Sequence, residues 1–442
     1  MTMPLPPPAQ APSAARRRKP PTGQLPLVVP GQGEAVLGGR PARPLVAVEL
    51  FPGPLVQAAW WTAPGLRATP LVIVGTGGRV LALCPLAGDA GVTPGQSLTQ
   101  ARLRCPEIMA RPPDSAAAAV LWEMALATLT TVSPLVEAAD PQPGRAYLDP
   151  SGLLGLWGDA QAVAGQSLRA LAHRGIAARA GVGPGRVVAL ALARRMGTGT
   201  PQTLDEEGAR AFVRALPIDD PALETPPATA RALSELGVTT AGTLAGLPPT
   251  TLVARFGPGI LPAWRCAVGA PDLPLRPWSP PERLTATYQD EDGLENRLHL
   301  EALLGLLGQQ LATALAGKGK ATALLTLCLV CAGGERQIRR QQSWPPLEGT
   351  AALTTTAGRL LGEMRLQAPV EKFTLTATDL CAPQWRQTDL WGEDHELRRR
   401  QTRLAATLAA HTRRYDRGHL RRLRRDPLAA DGWAWEEWDA AP

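Results

Sequence analysis

The sequence predicts an α+β protein of several domains with disordered ends, and three observations carry that expectation. The chain has 442 residues, 45% of them apolar, which is enough for two to four cores rather than one. Two blocks, from about residue 44 to 200 and from 284 to 380, alternate short apolar runs with longer helical stretches. Between them, residues 205 to 270 read as helical, and a segment with five prolines (271, 274, 277, 280 and 281) follows as an extended linker.

Taken in order, residues 1 to 40 are rich in Pro, Ala and Gly around a basic knot at Arg16 to Lys19 and hold no apolar period, so disorder is expected. Leu45 to Leu50 is a short apolar run stopped by Pro52, as in a buried strand. Leu71 to Gly75 and Arg79 to Leu83 flank Thr76-Gly77-Gly78 and predict a hairpin. Helices are expected at Ala101 to Cys105 and Ser115 to Thr130, then a strand at Arg145 to Asp149 and a helix near Ala160 to Arg174. A strand at Ala177 to Gly181 and a helix at Val187 to Arg195 close the first block. In the second block, Ala286 to Asp290, Leu298 to Ala316, Ala323 to Val330, Arg336 to Ser343, Leu353 to Leu366 and Glu371 to Thr378 spell β-α-β-β-α-β. The tail from Cys381 onward is polar, Arg-rich and expected to be part helical, and it ends in a cluster of Trp433, Trp435 and Trp438.

Charge points to an anionic partner. The net charge is +7, and eleven Arg fall between Arg398 and Arg425 with Asp416 the single acid among them, a footprint suited to nucleic acid. No apolar run is long enough to cross a bilayer, and the six cysteines fit a reducing cytoplasm. Cys328 and Cys331 have metal-knuckle spacing, yet they sit inside an apolar run without a second pair, so two strand positions are expected rather than zinc.

Several stretches together carry a resemblance: Arg79 to Ala82, Ala90 to Leu98, Ser133-Pro134-Leu135-Val136-Glu137, Ala146-Tyr147-Leu148-Asp149, Ala180 to Pro184, the helix-hairpin-helix at Leu236 to Leu247, and Arg255-Phe256-Gly257. In order and spacing these resemble a Y-family (DinB/UmuC-type) translesion DNA polymerase over residues 44 to 380, and most of all the ImuB-type mutasome subunits that lack the catalytic carboxylates. The resemblance implies a right-hand architecture. A ferredoxin-like palm is expected at 41–50 and 115–200, fingers at 51–114, and a helical thumb at 201–272. A linker at 273–283, a βαββαβ little finger at 284–380 and a tail at 381–442 complete it.

The family's mechanism requires one Asp on the first palm strand and an Asp-Glu pair just before the Ala-Tyr-Leu-Asp stretch, because two cations must bridge primer hydroxyl and triphosphate. Here these positions read Glu49, Gly144 and Arg145, so no catalytic or metal-holding set is expected. Arg145 brings a charge that cannot be titrated away. The Tyr and Arg that grip the triphosphate in active members are replaced by Pro85 and Gly88, and nucleotide binding is expected to be lost. Glu137 and Asp140 lie upstream as substitutes only if a loop rearranges.

DNA contacts are expected at Gly237, Thr239, Thr240 and Gly242 in the hairpin, where helix N-termini can face phosphate, and at Arg336, Arg339 and Arg340. An ordinary helix hairpin and a solvated sheet face are the alternatives. Gln387, Leu390 and Trp391 resemble the peptide by which bacterial polymerases dock on the sliding clamp. The Trp cluster reads either as an anchor for another subunit or as a helix end packed on the body. The resemblance further implies a RecA-like accessory protein and an error-prone replicative-type polymerase as partners. The function expected is a non-catalytic scaffold in damage-induced mutagenesis with no cofactor. The alternatives are an active translesion polymerase with rewired Mg²⁺ ligands and, more distantly, a structure-specific DNA-binding protein without a clamp link.

Overall fold

The computed structural model describes residues 43–139, 143–195, 203–204, 206–270, 272–383, 421–425 and 433–437. The chain opens with β1 (Pro44–Leu50), the central strand of a sheet completed later, and then leaves it for a small lobe. That lobe comprises α1 (Pro54–Thr62), β2 (Leu71–Val74), β3 (Val80–Leu83), α2 (Pro85–Asp89), α3 (Leu98–Arg104) and β4 (Met109–Arg111). Strand β2 lies between antiparallel β3 and parallel β4. A capping box between Ser97 and Gln100 starts α3.

The chain returns through α4 (Ser115–Thr130), β5 (Val136–Ala138), β6 (Arg145–Leu148), α5 (Leu154–Trp157), α6 (Ala160–His173) and β7 (Ala178–Pro184). Asp114 and Asp159 cap α4 and α6 by accepting backbone N–H groups three residues on. The strand order β5-β6-β1-β7 with these two long helices is a ferredoxin-like β-α-β-β-α-β domain, wholly antiparallel. One face buries Val46, Val48, Leu50, Ala146, Leu148, Ala180 and Val182 against α4 and α6. The period-2 alternation sends Ala47 and Tyr147 to the other face.

Helix α7 (Arg186–Arg195) lies on that second face. It lies close because Gly181 and Gly183 present no side chain. A Cβ on Gly181 would fall inside the backbone of Ala189 and Ala193, and one on Gly183 would stand 2.5 Å from Val188 Cγ1. Five further helices follow: α8 (Glu206–Ala215), α9 (Pro227–Glu235), α10 (Ala241–Ala245), α11 (Pro249–Phe256) and α12 (Leu261–Ala267). Leu216, Ile218, Leu223, Leu233 and Leu244 of this helical part share a core with Ala47 and Tyr147 of the sheet.

The proline-rich segment runs along β5 rather than free of it. Trp278 N–H donates to Val136 O (2.6 Å) and Arg276 N–H to the Glu137 carboxylate (2.6 Å), while Trp278 packs on the sheet core.

A second β-α-β-β-α-β unit follows: β8 (Leu284–Leu294), α13 (Arg297–Gly317), β9 (Ala321–Cys331), β10 (Arg336–Leu347), α14 (Gly349–Gly362) and β11 (Val370–Cys381), in sheet order β10-β9-β11-β8. Its helices cover one face over a core of Leu325, Leu327, Leu329, Phe373 and Leu375. Cys331 belongs to this core, whereas Cys328 is half-buried toward Ile338 on the opposite face. That other face docks through β10 on α1 and α4, with Ile338 buried among Ala58, Ala117 and Ala118.

Within the Arg-rich tail, β12 (Arg421–Arg425) and β13 (Trp433–Glu437) pair antiparallel. This corrects the expected helical end: Trp433-Ala434-Trp435 alternates with a period of two, and Arg421 and Arg422 stand in register with Glu437 and Glu436. Among the described residues no helix is long and apolar enough to cross a membrane.

Candidate functional site

The vestigial residues converge because of strand register. Glu49 on β1 stands opposite Arg145 on β6 and opposite Arg179 on β7, so the three form one row across the sheet on the α7 side. Arg194, in the last turn of α7, joins from above. Glu49 Oε1 accepts from Arg145 Nε (3.0 Å) and Arg194 Nη2 (2.5 Å). Its Oε2 accepts from Arg179 Nε (2.9 Å) and Nη2 (2.5 Å) and from Arg194 Nε (3.0 Å). The Arg179 guanidinium also stacks 4.5 Å from the Phe51 ring centroid.

Glu49 is only 8% exposed. Burial pushes its carboxyl pKa up, but the hydrogen bonds and charges of Arg194 and Arg179 together outweigh it, and the value falls from 4.5 to about 2. Around one carboxylate the site therefore holds three fixed positive charges. A two-metal centre needs the reverse, several carboxylates around cations, and the donor set here does not fit one. Among the described residues no group of three or more His, Cys, Asp or Glu could hold a metal.

Gly144 closes the remaining position to a side chain. Its φ is +95°, and a Cβ there would lie 2.6 Å from Pro54 Cγ. An Asp or Glu at this point would need both a new backbone conformation and a displaced α1. Glu137, the nearest upstream acid described, accepts both oxygens' worth of hydrogen bonds from Arg186 Nη2 (3.0 and 2.9 Å) as well as the Arg276 N–H. It thus ties β5 to α7 and to the proline-rich segment, away from Glu49. Asp140 lies outside the described residues. Tyr147, buried near Glu224, has its pKa raised well above the ordinary phenol value.

The other expected positions divide. Pro85 starts α2 on the surface of the small lobe, and Gly88 packs on Leu83. In the hairpin, Gly237 makes an exposed left-handed turn (φ +81°) with open space around it, and Thr239 O accepts the Ile218 N–H. Thr240 caps α10 in a capping box with Thr243. Gly242 lets α10 approach α8, since a Cβ would stand 2.9 Å from Arg214 O.

The three arginines of β10 do not act as one set, because alternation separates them. Arg336 and Arg340 share the face that docks on α1 and α4. Arg336 Nη1 donates to Trp61 O (3.0 Å) and Arg340 Nη2 pairs with Glu123 (3.1 Å). Arg339 stands in register with core residue Leu327, on the other face. Gln387, Leu390 and Trp391 lie outside the described residues.

Sequence reasoning missed Arg179 and Arg194. Arg179 was accessible in principle: on a strand running antiparallel to β1, it has the parity of Gly181 and Gly183 and so faces α7. Nothing in the sequence places Arg194, because its position depends on how α7 lies on the sheet.

A family model described as "IMS: impB/mucB/samB family" matches residues 55–194, a span that contains Arg145, Arg179 and Arg194. Over residues 55–194 the chain is thus similar to a Y-family polymerase domain. The chain is 25% identical over 329 residues to a DNA polymerase IV of Dehalococcoides mccartyi, covering 73% of this chain and 83% of that protein. It is 28% identical over 222 residues to a DNA polymerase IV of Moorella thermoacetica, covering 49% and 55% of the two chains. Among solved structures, DinB from Sulfolobus solfataricus aligns at 16% identity with a TM-score of 0.46, over 77% of this chain and all of that one. The matched span covers the small lobe and most of the central sheet, while Glu49 stands just ahead of it on β1.

Proposed function

We propose that this chain is a non-catalytic, ImuB-type Y-family body that binds primer-template DNA and the sliding clamp and recruits an error-prone polymerase during damage-induced mutagenesis. The observation that carries the reading is the Glu49 carboxylate held by Arg145, Arg179 and Arg194, with Gly144 unable to carry the missing acid. Guanidinium groups occupy the charge role of the cations, so primer hydroxyl and triphosphate have no bridging metal. The relatives named DNA polymerase IV favour the second reading, an active polymerase using Mg²⁺ with altered ligands. Primer extension decides between them. With purified protein, Mg²⁺ or Mn²⁺ and all four deoxynucleotides, no extension above the protein-free control is expected. Robust extension that vanishes in Glu49→Ala would discard the scaffold.

DNA contacts at Gly237, Thr239, Thr240 and Gly242 and at Arg336, Arg339 and Arg340 address phosphate, so binding should be salt-sensitive and indifferent to sequence. To reach phosphate, Arg336 and Arg340 exchange Trp61 and Glu123 for DNA. The clamp reading rests on Gln387 fixing register while Leu390 and Trp391 fill an apolar groove. Replacing Leu390 and Trp391 by Ala should abolish capture on immobilised clamp and leave DNA affinity within about twofold. Capture that survives ends the peptide reading. A RecA-like accessory protein and the error-prone replicative-type polymerase complete the proposed partners.

A further inference from the structure

The arginine cluster is unbalanced. Arg145, Arg179 and Arg194 have side chains only 13 to 16% exposed, and Glu49 answers one of their three charges. Surplus positive charge in a largely dry site is costly unless an anion shares it. Hydrogen bonding is unbalanced in the same sense. Arg145 Nη1 and Arg194 Nη1 are buried and without an acceptor, although their two guanidinium groups flank the same oxygen, Glu49 Oε1.

One further acid stands beside the cluster. Glu224 Oε1 is 3.7 Å from Arg145 Nη1, an ion-pair separation rather than a hydrogen bond. Its side chain is 51% exposed, and its backbone holds a left-handed φ of 54° in the turn between α8 and α9. Arg145 Nη1 itself is buried, whereas the Glu224 carboxylate beside it is half exposed. The neighbouring Thr225 Oγ1 also has no partner.

We propose that Arg145, Arg179 and Arg194 form a metal-independent phosphate site, with Glu224 as the carboxylate that a phosphate displaces. Two guanidinium edges with unspent donors suit phosphate, whose oxygens take the hydrogen bonds in parallel pairs. The phosphate is that of a DNA strand or of a free phosphoanhydride such as pyrophosphate, the two sharing the chemistry recognised. The inference rests on the arginine-closed reading of the site. Extension assays with metal test that reading, whereas the following experiment excludes metal throughout, so the two fail separately.

Full-length protein is titrated with inorganic pyrophosphate in EDTA, with chloride at equal ionic strength as the control, and followed by calorimetry and thermal midpoint. Wild type should bind pyrophosphate saturably and rise in midpoint where chloride has no effect. Glu224→Gln, which removes the competing charge at an exposed position, should tighten binding about tenfold. Arg194→Gln should weaken it at least about tenfold. Competition by pyrophosphate against a primer-template duplex, with a smaller salt slope for DNA binding in Arg194→Gln, assigns the phosphate to DNA. Saturable binding without competition assigns it to a free phosphoanhydride. If wild type and Glu224→Gln both respond to pyrophosphate no more than to chloride, the cluster is balanced within the protein and the proposal is wrong. That outcome can be read even if Arg194→Gln fails to fold.

Discussion

Glu49→Gln should lower the unfolding free energy by about 3 kcal/mol or more, because it leaves Arg145, Arg179 and Arg194 facing one another in a largely dry site with only the half-exposed Glu224, 3.7 Å from Arg145, as counter-charge. The carboxyl's pKa gives an independent scale. A fall from 4.5 to about 2 corresponds to about 3 kcal/mol at ~1.36 kcal/mol for each tenfold change. Since the folded value is depressed, the stabilisation is complete above pH 4.5 and is lost as the pH falls toward about 2. Urea denaturation at a series of pH values checks this. Wild type should lose stability over that window more steeply than Glu49→Gln, and the two should converge near its acid end. A carboxylate crowded among other acids to hold cations behaves oppositely: in the absence of metal, its removal relieves repulsion and costs little.

Gly181→Ala should be comparably severe for a different reason. The added methyl meets backbone atoms of Ala189 and Ala193, which cannot swing aside as a side chain would, so either α7 lifts from β7 or the strand bends. A loss of about 3 kcal/mol, at the upper end of ordinary overpacking, is expected in the denaturation midpoint. Lifting α7 also withdraws Arg194 from Glu49, so the variant should share part of the acid-range behaviour of Glu49→Gln. Gly165→Ala on α6 provides the control, because only the flexible end of Arg169 lies near its would-be Cβ. There the better helix former should change stability by about 1 kcal/mol or less, upward.

How much of this was legible depended on whether one segment or several determined the feature. β1, the hairpin of β2 and β3, and α4 with its bounds at Ser115 and Thr130 follow from local period and punctuation, and the β-α-β-β-α-β order of the second unit follows from its alternation, whereas β5, three residues long, carries no period of its own and the order of the first unit came only with the resemblance. Helix α1 was not read because it begins within Pro52-Gly53-Pro54, a run that signals a turn as well as a helix start. The β12 and β13 pair was not read as strands, because the charge density of the tail, expected to be part helical, masks its period of two. At the site, the absence of the Asp-Glu pair was visible in Gly144 and Arg145. The full charge inversion was not, since it requires β1, β6, β7 and α7 to bring four side chains together. The docking of Arg336 and Arg340 on α1 and α4 was likewise hidden, being a contact across more than two hundred residues of chain.

The central claim is that guanidinium groups, not metal ions, neutralise Glu49. The most direct measurement is the unfolding free energy of wild type and Glu49→Gln at neutral pH, each with and without millimolar Mn²⁺. The prediction is a loss of about 3 kcal/mol in the variant and no stabilisation of either protein by Mn²⁺. A variant as stable as wild type, together with a Mn²⁺ stabilisation of wild type that the variant lacks, would contradict it.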